Sequence, residues 1–343
     1  MCSRLLMEAK SQLILAVPVS WTFIMRKSVD IVAVIFVGHL GSQYLAAAGI
    51  ASVTANVTGN SVLIAFSGAL STICGWAKGA NDTQGLYAAL QRALIILPLC
   101  ICVPISLLWS FSSSVMVLCG QQEDMSLLAQ QYLRLMIPGL WARAVALCVQ
   151  NWLYSQEKMM IIAYSTSISA LCNVVLCYVL VLVLDVGFAG AAISNSICRI
   201  IEASLMVGYL VYNSYQDDSL LIGFQWSTEC FKNWGQYFEL AMPSLLMIAE
   251  WWASELLIFM AGMMAVEPEL QVSTMSVYQS LIAMCFMFPS CLRVAAGTRI
   301  GNELGANKPN RAKTAALVST CLAVWIGMCV SLVLLCFPNV STQ

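Results

Sequence analysis

Asp30, Glu250 and Glu255 are carboxylic acids inside apolar segments of this 343-residue sequence, where an unpaired charge would be costly. Asp30 follows Pro18 by twelve residues, and Glu255 follows Pro243 by the same interval. Glu250 precedes Glu255 by five residues, a spacing that puts the two about 140° apart around a helix. A carboxylic acid desolvated between helices has a raised pKa, so it can load and release a proton near neutral pH. We therefore interpret these acids as candidates for a cation- or proton-binding site.

Each acid also has a structural interpretation that the sequence leaves open. Asp30 has Arg26 at i−4 and Lys27 at i−3, so neutralising that basic pair is an alternative role for it. Glu250 and Glu255 have no basic residue within their own apolar segment, which favours a functional role, although a purely structural role stays open for them too.

Other polar groups in the apolar segments have competing interpretations as well. Arg199 and Glu202 are three residues apart and are predicted to pair with one another. Arg134 and Arg143 have no obvious local partner, and they either bind a substrate anion or extend to the membrane interface. Trp251 is a candidate for stacking on an aromatic cation, although membrane tryptophans more often fill helix contacts.

The segments that carry these groups are predicted to cross a membrane. The sequence is 60% hydrophobic and 10% charged, whereas soluble domains are about 25% charged. Five stretches contain no acidic residue, lysine or arginine, namely 31–77, 93–122, 159–184, 270–292 and 314–343. A helix needs about 20 apolar residues to cross the hydrocarbon core, and each stretch is long enough. We predict an all-α polytopic membrane protein.

Nine transmembrane helices account for the pattern of apolar segments and turn residues. They are predicted at 12–37, 44–72, 88–112, 127–152, 160–184, 188–212, 237–262, 271–294 and 315–337. The loops that follow the even-numbered helices carry lysine and arginine, whereas 38–43, 113–126, 185–187, 263–270 and 338–343 carry none. Since positive charge favours the cytoplasmic side, the N-terminus is predicted to lie inside and residue 343 outside.

An internal repeat indicates the architecture. The sequence LAVP at 15–18 recurs as LAMP at 240–243, an offset of 225 residues. The pattern GxxxGAN at 75–81 recurs at 301–307, an offset of 226 residues. A repeat unit of six helices, duplicated in parallel, is typical of secondary transporters that bind substrate between the two halves. Two such units need about 450 residues, so we expect the second copy to be half present and a longer form of the protein to exist.

Three segments resemble the multidrug and toxic compound extrusion (MATE) transporters. They are FVGHLG at 36–41, RIGNELGAN at 299–307 and PSLLMIAEWWASE at 243–255, the last of which is similar to the eukaryotic branch of that family. The resemblance covers essentially the whole chain. It implies a MATE-like fold of two six-helix lobes and export of organic cations, drugs or xenobiotics in exchange for H⁺ or Na⁺. It also implies that Glu250 and Glu255 are cation and coupling sites.

Two positions depart from the pattern of the resembled family. Tyr278 matches the eukaryotic branch, but an acid usually follows it and this sequence has Gln279, which cannot titrate. Asn173 also matches, but Cys177 stands where bacterial members have an acid four residues later. The resemblance therefore implies binding positions at Asn173, Tyr278 and Gln279 that lack part of the usual charge.

The resemblance and the repeat together give the predicted organisation. We expect a six-helix N-lobe at 1–215, a cytoplasmic linker at 216–236 and a partial C-lobe of three helices at 237–343. An alternative is a transport-inactive truncated protein or scaffold that retains the fold. We expect the plasma membrane as its location rather than a vacuolar or other internal membrane.

Composition excludes several other functions. A single histidine, His39, rules out a multi-histidine metal site and makes a histidine-based catalytic triad improbable. A net charge of −1 gives no electrostatic footprint for nucleic acid. We expect no enzyme activity, no metal and no cofactor beyond the coupling ion. The expected partners are small organic cations and membrane lipids, and the oligomeric state stays open.

Overall fold

A computed structural model describes residues 2–121, 123–216, 228–261 and 268–336, which are almost entirely helical. Nine long helices lie in these ranges, in the order predicted from the apolar segments. They are α1 (Cys2–Gly38), α2 (Ser42–Thr54 and Ser61–Gly79), α3 (Thr83–Ile96 and Val103–Ser110), α4 (Glu123–Ser155), α5 (Met159–Cys177), α6 (Phe188–Gln216), α7 (Trp234–Ala261), α8 (Pro268–Gly305) and α9 (Pro309–Cys336). We call α1–α6 the first lobe and α7–α9 the second lobe.

Three wide π-helical segments interrupt or extend these helices, and none of them was predicted. Ala55–Asn60 joins the two parts of α2, Leu97–Cys102 joins the two parts of α3, and Tyr178–Val183 extends α5. Pro98 lies in the second of these segments and has no backbone N–H to donate, which disturbs the regular α-helical ladder there. A short helix, Ser112–Leu118, also occupies residues for which a turn was predicted.

The two copies of the GxxxGAN repeat end α2 and α8 with the same backbone geometry. Asn81 and Asn307 adopt left-handed conformations, with φ of 57° and 58°. The next backbone N–H then bonds back across the cap, from Asp82 to Ala77 and from Lys308 to Glu303, at 2.9 Å in both cases. Asparagine tolerates this conformation, and the bonds satisfy carbonyl groups that a helix end leaves free. The predicted repeat is therefore a structural repeat.

The core of the first lobe is built around α4, which packs along α6 and against α2. Its fully buried side chains include Leu133 and Leu153, which lie in one continuous apolar core with Leu63, Leu70 and Met206. Two helices of the second lobe pack against the first lobe. Helix α8 packs on α1 and α2, and α7 packs on α2. The helices of the two lobes therefore contact each other directly.

Five of the described helices are long and apolar enough to cross a membrane. They are the segments Gln43–Gly79, Thr83–Ser110, Glu123–Ser155, Met159–Val183 and Pro309–Cys329. Protein covers 56% of the most apolar stretch of Glu123–Ser155, but only 17% of that of Pro309–Cys329. The surface of α9 is therefore mostly apolar and uncovered, with Val324, Trp325 and Met328 all more than half exposed.

Candidate functional site

Five of the predicted site residues lie on the helices of the second lobe. Glu250, Trp251 and Glu255 are in α7, and Tyr278 and Gln279 are in α8. The side chains of all five fall outside the described part of the structure, so their roles stay predictions.

Asp30 lies in α1 of the first lobe, with 52% of its side chain exposed. Its carboxylate is 3.9 Å from Nη2 of Arg199 in α6. Arg26, which the alternative interpretation paired with Asp30, instead pairs with Glu202. That alternative is wrong for Arg26, because a helix 176 residues away supplies a carboxylate in better position than the local one.

Asn173 is fully buried in α5, in a small group of neutral polar side chains. The thiol of Cys177 donates to its Oδ1 at 3.8 Å and lies 2.9 Å from the hydroxyl of Ser194. These three groups can hydrogen-bond a ligand, but they supply no charge to it. Because Cys177 stands where bacterial members have an acid, this group of three side chains carries no charge of its own.

A cluster of ionised side chains lies inside the first lobe, where α1, α4, α5 and α6 meet. We define the arginine cluster as Arg26, Arg143, Arg199, Glu202 and Asp30. Arg26 donates through Nε and Nη2 to Oε1 of Glu202, at 3.1 and 2.6 Å. Glu202 is 2% exposed, and its carboxylate also lies 3.9 Å from Arg143 and 3.8 Å from Arg199. The predicted Arg199–Glu202 ion pair is present, but Glu202 lies closer to Arg26 than to Arg199.

A second site lies where the two lobes meet, and it is formed by the two repeat motifs themselves. A side-chain carbon on Gly75 would lie 3.1 Å from Cα of Gly301, and one on Gly301 would lie 3.3 Å from Cα of Gly75. A side-chain carbon on Gly79 would overlap the carbonyl oxygen of Asn302, and one on Gly305 would overlap that of Trp76. The backbones of α2 and α8 therefore touch at glycines that no other residue type could replace without displacement.

Ionic contacts lie beside this helix crossing. Arg299 of α8 donates to both carboxylate oxygens of Glu8 in α1, at 3.2 and 3.0 Å, and to Glu157 at 3.3 Å. Asn302 donates to the carbonyl oxygen of Ser155 at 3.1 Å. We call the glycine crossing and these contacts the lobe junction. Because Glu8 and Glu157 belong to the first lobe, the junction holds the two lobes together at one end of the helices.

The charges at the lobe junction alter one another's ionisation. Burial alone would raise the pKa of Glu8, but the hydrogen bond and charge of Arg299, with a hydrogen bond from Gln12, outweigh it and lower that pKa. The hydrogen bond to Glu8 is the largest of the effects that raise the pKa of Arg299. Both groups are therefore held in their charged forms.

Further hydrogen bonds join the lobes through α7 and α9. The hydroxyl of Tyr237 donates to the carbonyl oxygen of Phe66 at 2.8 Å, and the indole N–H of Trp252 donates to the hydroxyl of Ser61 at 3.0 Å. Gln12 of α1 also donates to the carbonyl oxygen of Ala315 in α9 at 3.0 Å. The described contacts between the lobes thus involve α7 and α9 as well as α8.

The described helices form a six-helix lobe and three helices of a second lobe, and the duplicated cap motifs of the two lobes contact each other. A protein-family model described as MatE matches residues 18–179 and 243–341. The chain belongs to the MatE family. Members of this family are transporters rather than enzymes, and this chain is accordingly an integral multi-pass membrane protein.

Plant members of the MatE family are similar over nearly the whole chain. Protein DETOXIFICATION 16 of Arabidopsis thaliana is 34% identical over 97% of this chain and 68% of its own length. Protein DETOXIFICATION 48 of the same plant is 32% identical over 91% of this chain and 58% of its own length. The chain therefore spans about three fifths to two thirds of the length of these relatives.

Solved structures of MatE family members share the fold. The eukaryotic MATE transporter AtDTX14 superposes with a TM-score of 0.91 at 28% identity, covering 98% of this chain and 74% of that one. A MATE protein in a bent conformation gives a TM-score of 0.84 at 18% identity, covering 97% and 74%. The prediction of a MATE-like, all-α fold of the eukaryotic type is confirmed.

Sequence reasoning found some parts of these sites and missed others. The repeat offset pointed to the glycines of the lobe junction, although it did not show that the copies touch. Nothing local in the sequence indicated that Glu8 meets Arg299 or that Arg26 meets Glu202, because these pairs are 291 and 176 residues apart.

Proposed function

We propose that this chain works in efflux, as an antiporter that exports organic cations across the plasma membrane in exchange for H⁺ or Na⁺. The observation that carries the proposal is the lobe junction, where two copies of one repeat close on each other at one end of the helices. Alternating access requires two lobes that close at one face while the other face admits substrate. The junction consists of glycine backbone contacts and ion pairs, which fix the register of α2 against α8.

The predicted orientation of the protein in the membrane relates the junction to the direction of transport. The helix ends of α2 and α8 that form the junction lie in segments predicted as loops with lysine and arginine, which the positive-inside rule assigns to the cytoplasm. A closed cytoplasmic end corresponds to a state from which substrate leaves to the outside. Opening of the junction would then expose the site to substrate in the cytoplasm.

The driving chemistry in this proposal belongs to Glu250 and Glu255. An ionised carboxylate in a low-dielectric site attracts an organic cation strongly, and a protonated one does not. The cation and the proton therefore compete for the same oxygens. A proton arriving from outside neutralises the carboxylate and releases the cation, and loss of that proton to the cytoplasm restores the charge.

Transport of a fluorescent organic cation by the protein in reconstituted vesicles tests the proposal. Ethidium should accumulate or leave when a pH gradient is imposed, and a parallel arm with a sodium gradient separates the two coupling ions. Glu255→Gln should abolish gradient-driven movement of ethidium, because the glutamine side chain cannot titrate. Glu239→Gln is the matched control, since Glu239 lies in the same helix with its side chain exposed.

Each result of the transport experiment has a definite meaning. Gradient-driven ethidium movement that is lost in Glu255→Gln and kept in Glu239→Gln supports the antiporter. Wild-type protein that is folded in the vesicles but moves no cation under either gradient contradicts it and favours the transport-inactive alternative. Equal movement by wild type and Glu255→Gln removes that carboxylate from the mechanism.

A further inference from the structure

The arginine cluster contains more positive than negative charge. Three guanidinium groups, from Arg26, Arg143 and Arg199, face the carboxylates of Glu202 and Asp30. The arginine side chains are only 9% to 17% exposed, so water screens this imbalance poorly. An unbalanced buried charge is unfavourable unless another group compensates it.

Glu202 does not neutralise all three arginines, because its hydrogen bonds go to Arg26 and to one hydroxyl group. Oε1 of Glu202 accepts two hydrogen bonds from Arg26 and a third from the hydroxyl of Thr166 at 3.1 Å. The contacts to Arg143 and Arg199 are 3.9 and 3.8 Å long, beyond hydrogen-bonding distance. Glu202 therefore forms hydrogen bonds with Arg26, whereas Arg143 and Arg199 interact with it only through electrostatic attraction.

Arg143 has a buried N–H donor that lacks an acceptor among the described residues. Its side chain is nine-tenths buried in α4, and its Nη1 has no hydrogen-bond partner among the residues that the structure describes. A buried guanidinium N–H without an acceptor is costly. Arg199 extends the donor surface from this point toward Asp30, the most exposed member of the cluster.

We propose that Arg143 and Arg199 form an anion-binding site in the first lobe, which takes a small monovalent anion. Chloride and a carboxylate group share the chemistry that this site needs, since both accept charge-assisted hydrogen bonds from guanidinium donors. A bound monovalent anion brings the cluster to electrical neutrality. Asp30, 3.9 Å from Arg199, competes with the anion for that arginine and lies on the accessible side of the site.

The site is formed by residues other than Glu250 and Glu255 of the proposed antiport, and its test does not depend on transport. Binding of radiolabelled chloride to purified protein is measured at constant ionic strength, with sulfate as the other salt. Saturable binding is expected from wild type. Acetate competes if the planar carboxylate fits the guanidinium donors, and its failure to compete assigns the site to halide alone.

Three variants link that binding to the proposed residues. Arg143→Gln should weaken chloride binding about tenfold or more, the equivalent of one charge-assisted hydrogen bond. Asp30→Asn should strengthen it several-fold, because the competing carboxylate is gone. Arg134→Gln is the matched control and should bind as wild type does, since Arg134 lies in the same helix, is exposed and donates to the carbonyl oxygen of Ser110.

The proposal predicts weaker chloride binding in one variant and stronger binding in another, so it stays falsifiable if one of them fails to fold. Asp30 is half exposed, so Asp30→Asn should fold even where Arg143→Gln does not. No saturable chloride binding to folded wild type overturns the proposal. So does unchanged affinity in both Arg143→Gln and Asp30→Asn, or an equal loss in Arg134→Gln.

Discussion

Nη2 of Arg299 lies 3.0 Å from Oε2 of Glu8, although the two residues are 291 positions apart and belong to different lobes. Glu8 lies in the part of α1 that precedes the predicted start at residue 12, since α1 is helical from Cys2, about three turns earlier. The added turns carry Glu8, and Gln12 lies at the predicted start of the helix; both side chains reach the second lobe. The N-terminal part of α1 is thus part of the lobe junction.

The Glu8–Arg299 contact predicts a pH dependence of stability. Because the pKa of Glu8 is lowered in the folded protein, its contribution is complete above the unfolded value of about 4.3 and is lost as the pH falls below it. Glu8→Gln should lower the free energy of unfolding at pH 7 by about 1 kcal/mol or less. Thermal unfolding in detergent, from neutral pH down to pH 3.5, measures this difference.

The control for this effect is Glu239→Gln, whose side chain is exposed on α7. It should unfold like wild type at every pH. The gap between wild type and Glu8→Gln should narrow as the solution becomes acidic. A gap that stays constant or widens at low pH would mean that Glu8 does not act through its charge.

The glycine crossing predicts a steric effect of a single methyl group. Gly79→Ala should separate α2 from α8, because the added carbon overlaps the carbonyl oxygen of Asn302. Hydrogen exchange of the backbone near residue 302 should then accelerate, and the thermal midpoint should fall. Gly297→Ala is the control, since Gly297 lies in α8 with open space around the position of the added carbon. Equal exchange in the two variants would show that the crossing is not a tight contact.

Much of the helical layout could be predicted from the sequence, because long charge-free stretches and turn residues are local features. The π-helical segments and the helix Ser112–Leu118 could not, since the same residues fit a regular helix or a turn equally well. The site was harder still. The i−4 spacing paired Arg26 with Asp30, but tertiary packing brings Glu202 to Arg26 and leaves Asp30 to Arg199. Spacing along one helix cannot show which neighbouring helix supplies a partner.

The buried Glu202 predicts a large loss of stability when its charge is removed. Glu202→Gln should destabilise the protein by about 3–5 kcal/mol, because Arg26 then stays buried without its counter-charge. Asp124→Asn, an exposed acid in the first turn of α4, should cost much less. Unfolding in mixed micelles compares the two variants. Wild-type stability in Glu202→Gln would show that another group balances Arg26.

The predicted membrane orientation can be tested at a native cysteine. Cys119 follows the short helix Ser112–Leu118 and is exposed, in a segment that the charge pattern assigns to the outside. A membrane-impermeant maleimide should label it in intact cells, because an exposed thiol outside the bilayer is accessible to the reagent. Cys119→Ser should lose that label, which separates it from the other cysteines of the chain. The buried Cys74 serves as an internal control that reacts only after denaturation. Labelling of Cys119 that requires permeabilised cells would reverse the orientation, and it would place the lobe junction at the outer face.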